Sequence, residues 1–189
     1  MNLARKKIAE IGYTDAVNGF CSNSCSVLVA LDEQSADIAQ GVNTAQESRA
    51  ESSEEQFDKI GAGDQGIMFG YACNETADLM PATIYYAHKI LENIFNAIKT
   101  GEIEGLGPDA KSQVTLRYMD GKPVGAESVL VSIQHVKSLS HQQVREMIKP
   151  YIKQTLPDGW MCADEKLYTN PTGIFTIGGP VGDAGLTGR

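Results

Sequence analysis

The feature that most constrains this chain is a strict alternation in its middle. Val114, Leu116 and Tyr118 alternate with Gln113, Thr115 and Arg117; Asp120-Gly121 supplies turn residues; Val129, Val131 and Ile133 repeat at every second position on the return. Successive side chains of a strand point to opposite faces, so each arm packs on one face and stays wet on the other. A slip of one residue would turn the whole apolar set to water, so the register is tightly specified. Such a sheet needs a cover, and the flanking sequence offers two. From Pro81 to Thr100, Ile84, Ala87, His88, Leu91, Ile94, Phe95 and Ile98 recur at three and four residues, one helical stripe. Pro81 suits the first helical position and Gly101 the stop. His88 lies on that stripe and is expected as a core residue rather than a ligand. Ser140-His-Gln-Gln143 makes a capping box ahead of Val144, Met147, Ile148 and Ile152, and Pro150 is expected to kink or end that helix. Lys166 to Thr169 reads as a short strand and Asn170-Pro-Thr-Gly173 as a type I turn. The order helix, strand, strand, helix, strand predicts an α/β (α+β) fold. It is a split α/β sandwich with helices on one face of a mixed or antiparallel sheet.

The first third is less patterned. Asn2 to Ile11 reads as a short helix stopped by Gly12, and Cys25 to Leu31 is an apolar run of strand length. From Asp32 to Ile60 the apolar pattern disappears, which leaves a functional lid or a linker open, with a short helix possible from Ser53. The 24 acidic and 16 basic residues give a net charge of -8, which argues against a nucleic-acid surface but permits a small phosphorylated ligand. No apolar run has the length of a membrane span and no secretory signal follows Met1, so a cytoplasmic protein without membrane partners is expected. Cys21 and Cys25 lack a second Cys/His pair nearby, so free thiols are expected rather than a zinc site.

Three segments carry residues suited to chemistry. Gly61-Ala-Gly63-Asp-Gln-Gly66 matches the dinucleotide pattern letter for letter, but its context fails: no buried strand precedes it, and Tyr85 and Tyr86 stand where an acid should follow. A turn that holds Asp64 is the better reading, and a nicotinamide enzyme the weaker one. Asp109-Ala-Lys111 lies on the polar parity of the first strand, so an ammonium and a carboxylate project the same way. That pair suits a phosphate and a polar substrate group, or else an exposed ion pair at a strand end. The run from Ile177 to Arg189 has glycines at 178, 179, 182, 185 and 188 that let backbone approach a ligand, or make it a flexible tail.

Together these segments resemble the methionine adenosyltransferase (S-adenosylmethionine synthetase) family. Gly61 to Tyr71 looks like its GAGDQG segment with the GY ending, and Pro108 to Val114 like its PDAKSQV strand start. Asn170-Pro-Thr-Gly173 and Gly178 to Arg189 look like its NPTGRF and GGPxGDxGLTGRK stretches, and Ser132-Ile-Gln-His135 and Cys73-Asn-Glu-Thr76 also fit. The resemblance implies an enzyme in which the methionine sulfur attacks ribose C5′ of ATP, displacing tripolyphosphate that is then hydrolysed to pyrophosphate and phosphate. It implies three similar α/β domains, with 1–60 the remainder of the first, including a mobile loop at 34–44. Residues 61–177 would be the central domain and 178–189 the start of the third. ATP would meet Asp109, Ala110, Lys111, Ile174, Phe175, Asp183 and Arg189; methionine would meet Gln34, Asp64 and Asp183. Lys111, Asp183 and Arg189 would be catalytic. Mg2+ and K+ would be cofactors with ligands outside 1–189. The partners implied are ATP, L-methionine and further copies, in a homodimer or homotetramer with sites between subunits. Two positions depart from the family: Ile174 replaces an Arg before Phe175, and Cys21 replaces an Asp. The family's HPDK and GGGAFSGKD motifs are expected beyond the two ends. A non-catalytic subunit that pairs with a full-length enzyme is the alternative.

Overall fold

In the computed structural model, residues 1–45, 48, 59–62 and 66–183 are described. The chain divides into two compact units, Met1–Val27 with Tyr71–Arg189, and Leu28–Gly70. The larger unit is built on three strands, β1 (Leu106–Met119), β2 (Lys122–His135) and β3 (Leu167–Thr169), in the order β1-β2-β3. β1 and β2 are antiparallel, and Met119 opposite Lys122 leaves a two-residue loop. Asp120 and Gly121 have φ of 50° and 75°, the mirror-image turn whose twist matches that of the strands. β2 thus begins at Lys122, earlier than the apolar repeat from Val129 suggested. β3 runs parallel to β2, with Val129 opposite Leu167 and Val131 opposite Thr169. A parallel pair needs a crossover, and the second covering helix supplies it.

Four α-helices are described: α1 (Asn2–Ile11), α2 (Ala36–Asn43), α3 (Ala82–Thr100) and α4 (His141–Thr155). The core joins Ile90, Ile94 and Ala97 of α3 to Val144, Ile148 and Ile152 of α4, over Val114, Val129, Val131, Ile133 and Leu167 of the sheet. Each fully buried Ile contributes roughly 1.5–3 kcal/mol against exposure. The stripe on α3 is rotated from its expected centre. Ala87, Ile90, Ile94 and Ala97 face the sheet, while Ile84 is 43% exposed and His88 lies in solvent, so His88 is not a core residue.

Helix ends follow their local chemistry. Pro81 is the N-cap of α3 and not its first helical residue; the first free amide, Ala82 N, donates to Glu75 Oε2 at 2.8 Å. The same oxygen accepts from the Tyr118 hydroxyl at 2.9 Å. Gly101 ends the helix with φ 77°. The capping box of α4 is complete: the Ser140 side chain accepts from Gln143 N, and Ser140 N donates to Gln143 Oε1. Pro150 does not end this helix, which continues to Thr155. Pro150 is solvent-exposed, so the carbonyl left without a helical donor faces water.

One expectation for the first third gives way. Cys25–Leu31 forms no strand; Leu28 is 95% and Leu31 90% exposed, because an apolar run without a paired edge has no ladder to complete. The stretch from Gln34 to Thr44 contains α2, started by Ser35, whose side chain accepts from Ile38 N at 3.3 Å. A 3-10 turn at Asp164–Lys166 leaves only Leu167–Thr169 in the last strand. The helix considered from Ser53 lies almost wholly outside the described residues. Among the described residues no helix is long and apolar enough to cross a membrane.

Replacing Pro150 by Ala restores a helix amide on the exposed side, so unfolding should become harder by about 1–2 kcal/mol. Denaturant titration of both proteins measures this; a destabilised variant would contradict it. Burial and the Glu75 carboxylate together push the Tyr118 phenol up to about 12. The neutral phenol is favoured by folding, so its contribution is complete below the unfolded value of about 10 and fades as pH rises beyond it. An ultraviolet pH titration, compared with Tyr118→Phe, should find this phenol near 12, and Glu75→Gln should bring it down.

Candidate active site

The site is assembled from the first residues of β1 and from the chain that leaves β3. Parity along β1 puts Asp109 and Lys111 on one face, away from Ala110, which stands opposite Ile133. At the other side, β3 gives way to Asn170, which is 1% exposed and has φ 40°. Its backbone N donates to Val131 O at 3.0 Å. Its side-chain Oδ1 accepts from Ile133 N at 2.8 Å, and its Nδ2 donates to Ile133 O at 3.1 Å. The amide of Asn170 thus occupies the place of one more strand residue while its backbone turns away. Gly173 N closes the expected turn onto Asn170 O at 2.8 Å.

From that turn the chain crosses the end of β2 and is tied down in sequence. His135 N donates to Phe175 O at 2.9 Å, Gln134 Nε2 to Thr176 O at 3.2 Å, and Gly179 N to Asp109 Oδ2 at 2.7 Å. A cavity of about 380 Å3 results, lined by Asp109, Lys111, Phe175, Ile177, Gly178, Gly182 and Asp183. It presents one ammonium, two carboxylates, an aromatic ring and glycine backbone. A Cβ on Gly178 would come within 2.7 Å of the Phe175 ring and 2.8 Å of Asp109 Oδ2, so the close approach requires glycine. Behind it the buried Tyr13 packs its hydroxyl against Gly179. Burial, and then the negative charge of Asp109, raise the Tyr13 phenol above its usual value.

Of the residues singled out from sequence, Asp109, Lys111, Phe175 and Asp183 meet here. Ala110 instead lines a different, largely apolar groove of about 430 Å3 between α1 and α3. Ile174 is 83% exposed beside Phe175. Gln34 is exposed just before the cap of α2, within the Leu28–Gly70 unit. Asp64 and Arg189 lie outside the described residues. Tyr13 was not singled out, since it follows the stop of α1 with no pattern, and His135 was named only within the Ser132–His135 match, since it reads locally as the end of a strand. Among the described residues, no group of three or more His, Cys, Asp or Glu is placed to hold a metal ion. Cys21, Cys25, Cys73 and Cys162 are free thiols.

The fold is that of an α/β protein, and its candidate site is the cavity at the start of a sheet strand. The sequence profile of the S-adenosylmethionine synthetase central domain matches residues 59–175, and the chain belongs to that family of enzymes. It is 54% identical to the S-adenosylmethionine synthases of Trichormus variabilis and Nostoc punctiforme, each over 100% of this chain and 47% of the relative. It is 52% identical to that of Thermosynechococcus vestitus, over 100% of this chain and 48% of the relative. The chain spans about half the length of the curated relatives it matches.

Gly178→Ala should displace the Phe175 ring or the Asp109 carboxylate, at a cost of about 1–3 kcal/mol in stability. Thermal unfolding beside Gly70→Ala checks this, since nothing lies within 4 Å of a Cβ on Gly70 and its φ is not positive. A Gly178→Ala protein with unshifted unfolding would show that the packing is loose.

Proposed function

We propose that this chain forms the ATP-binding part of an S-adenosylmethionine synthase active site. The observation that carries the reading is one cavity in which the Asp109/Lys111 pair faces Phe175 and the Gly178–Asp183 segment. The reaction joins the methionine sulfur to ribose C5′ of ATP and releases tripolyphosphate, which is cleaved to pyrophosphate and phosphate. Its main demand on the protein is to align the sulfur with C5′ and to stabilise a departing polyanion. Lys111 supplies a point charge for phosphate oxygens. Asp109 has one oxygen engaged by Gly179 N, so it holds the glycine segment in place and keeps a second oxygen for a substrate hydroxyl or amine. Phe175 offers its ring to the adenine, and Asp183 an exposed carboxylate to ribose or to the methionine ammonium.

Mg2+ and K+ are assigned as cofactors; when bound they would neutralise charge on the triphosphate. Gln34 and Asp64 are assigned to methionine, and α2 with its flanks to a lid. The match over residues 59–175 supports reading 61–177 as the central domain, between the remainder of a first domain and the start of a third. A cytoplasmic homodimer or homotetramer, with sites between subunits, completes the proposal.

Calorimetric titration of the chain with ATP tests the reading. Lys111→Ala removes a charge-assisted contact worth about 1.5–3 kcal/mol, so ATP affinity should fall roughly ten- to a hundredfold. Unchanged affinity would remove Lys111 from the site.

A further inference from the structure

We infer that His135, as a neutral imidazole protonated on Nδ1, is a positioning residue that clamps Phe175 into the wall of the ligand cavity. The inference rests on the nucleotide reading of that cavity. His135 is the last residue of β2 and is 4% exposed. Its Nε2 lies 3.3 Å from the backbone N of Phe175, and its Nδ1 lies 3.0 Å from Val136 O. A backbone N–H can only donate, so Nε2 must offer its lone pair. A carbonyl can only accept, so Nδ1 must carry the hydrogen. One ring state alone satisfies both: the tautomer protonated on Nδ1. The other tautomer and the imidazolium would each set an N–H against the N–H of Phe175.

The backbone of His135 adds the reciprocal bond, its N donating to Phe175 O at 2.9 Å. One residue therefore holds both polar groups of Phe175, and its neighbour Gln134 holds the next carbonyl, Thr176 O, at 3.2 Å. Phe175 in turn packs on Gly178 and lines the cavity with Asp109 and Lys111. Removing the Nε2 lone pair frees the Phe175 amide without touching any group that faces the phosphates. The clamp thus serves the aromatic end of the ligand and not its polyanionic end.

Long-range proton–nitrogen NMR correlations on the chain read the ring state directly. Nδ1 should be pyrrole-like and Nε2 pyridine-like; the reverse pattern overturns the inference. His135→Leu keeps bulk but loses the acceptor, whereas His135→Gln can return a carbonyl oxygen to the Phe175 amide. Hydrogen exchange at the Phe175 amide should rise roughly two- to tenfold in the Leu variant and return toward the parent rate in the Gln variant. Calorimetry with ATP and with inorganic tripolyphosphate separates the two ends of the ligand. His135→Leu should weaken ATP about two- to tenfold, leave tripolyphosphate within roughly twofold, and be rescued by Gln. Equal ATP affinity in parent and Leu variant overturns the inference, as does equal loss of both ligands, which marks general damage. A parent chain that binds neither ligand overturns the nucleotide reading instead, and the clamp then stands or falls on the ring spectrum and the exchange rates.

Discussion

The organisation of the site depends on the pair of hydrogen bonds between the Asn170 side chain and the backbone of Ile133, at 2.8 and 3.1 Å. β3 is only three residues long, and its next position must satisfy the buried backbone groups of β2 while releasing the chain toward the cavity. A regular strand residue would do the first and prevent the second. Asn170 separates the tasks, because its amide carries both a donor and an acceptor and because Asn tolerates a left-handed backbone. Both bonds are buried, so losing the side chain would leave a donor and an acceptor of Ile133 unpaired, at about 1–3 kcal/mol each. Everything from Phe175 to Asp183 is aimed by that change of direction.

Charge is organised locally and not globally. A net charge of -8 describes a chain ill suited to polyanions, yet Lys111 stands beside Asp109 on a strand start, near backbone that glycines leave open. The nearby Asp109 carboxylate is partly spent on Gly179 N, so it restrains the loop as much as it opposes a phosphate. The Tyr13 phenol, its pKa raised by burial and by Asp109, backs the same loop without adding charge. The cavity thus sets an ammonium, two carboxylates and an aromatic ring around glycine backbone.

How much of this was legible depends on the range of each interaction. The β1–β2 pairing, the α4 capping box and the Gly101 stop are written in residues a few positions apart, and each was legible, although β2 begins seven residues before Val129. The parity of Asp109 and Lys111 was legible for the same reason. Rotation of α3 was not, since the repeat from Ile84 to Ile98 is wide enough to centre on two faces, and packing against β1 and α4 chose the one without His88. α2 was hidden because a serine cap can start a helix that has little apolar stripe. The contacts of Tyr13 and His135 were out of reach, as they join segments whose spacing has no local pattern.

That range has a consequence for how the protein acquires its site. The hairpin of β1 and β2 closes through a two-residue turn, whereas the bonds that shape the cavity link positions 70 residues apart for Asp109 and Gly179 and 40 apart for His135 and Phe175. Contacts of long sequence separation require more chain to be ordered before they form. The parallel placement of β3 likewise depends on the crossover through α4, which separates Asn170 from Ile133 by 37 residues. The sheet can thus exist before the cavity does. Ligand-binding competence then reports on completion of folding, and a nascent chain released before Gly179 would carry the Asp109/Lys111 pair with nothing yet facing it.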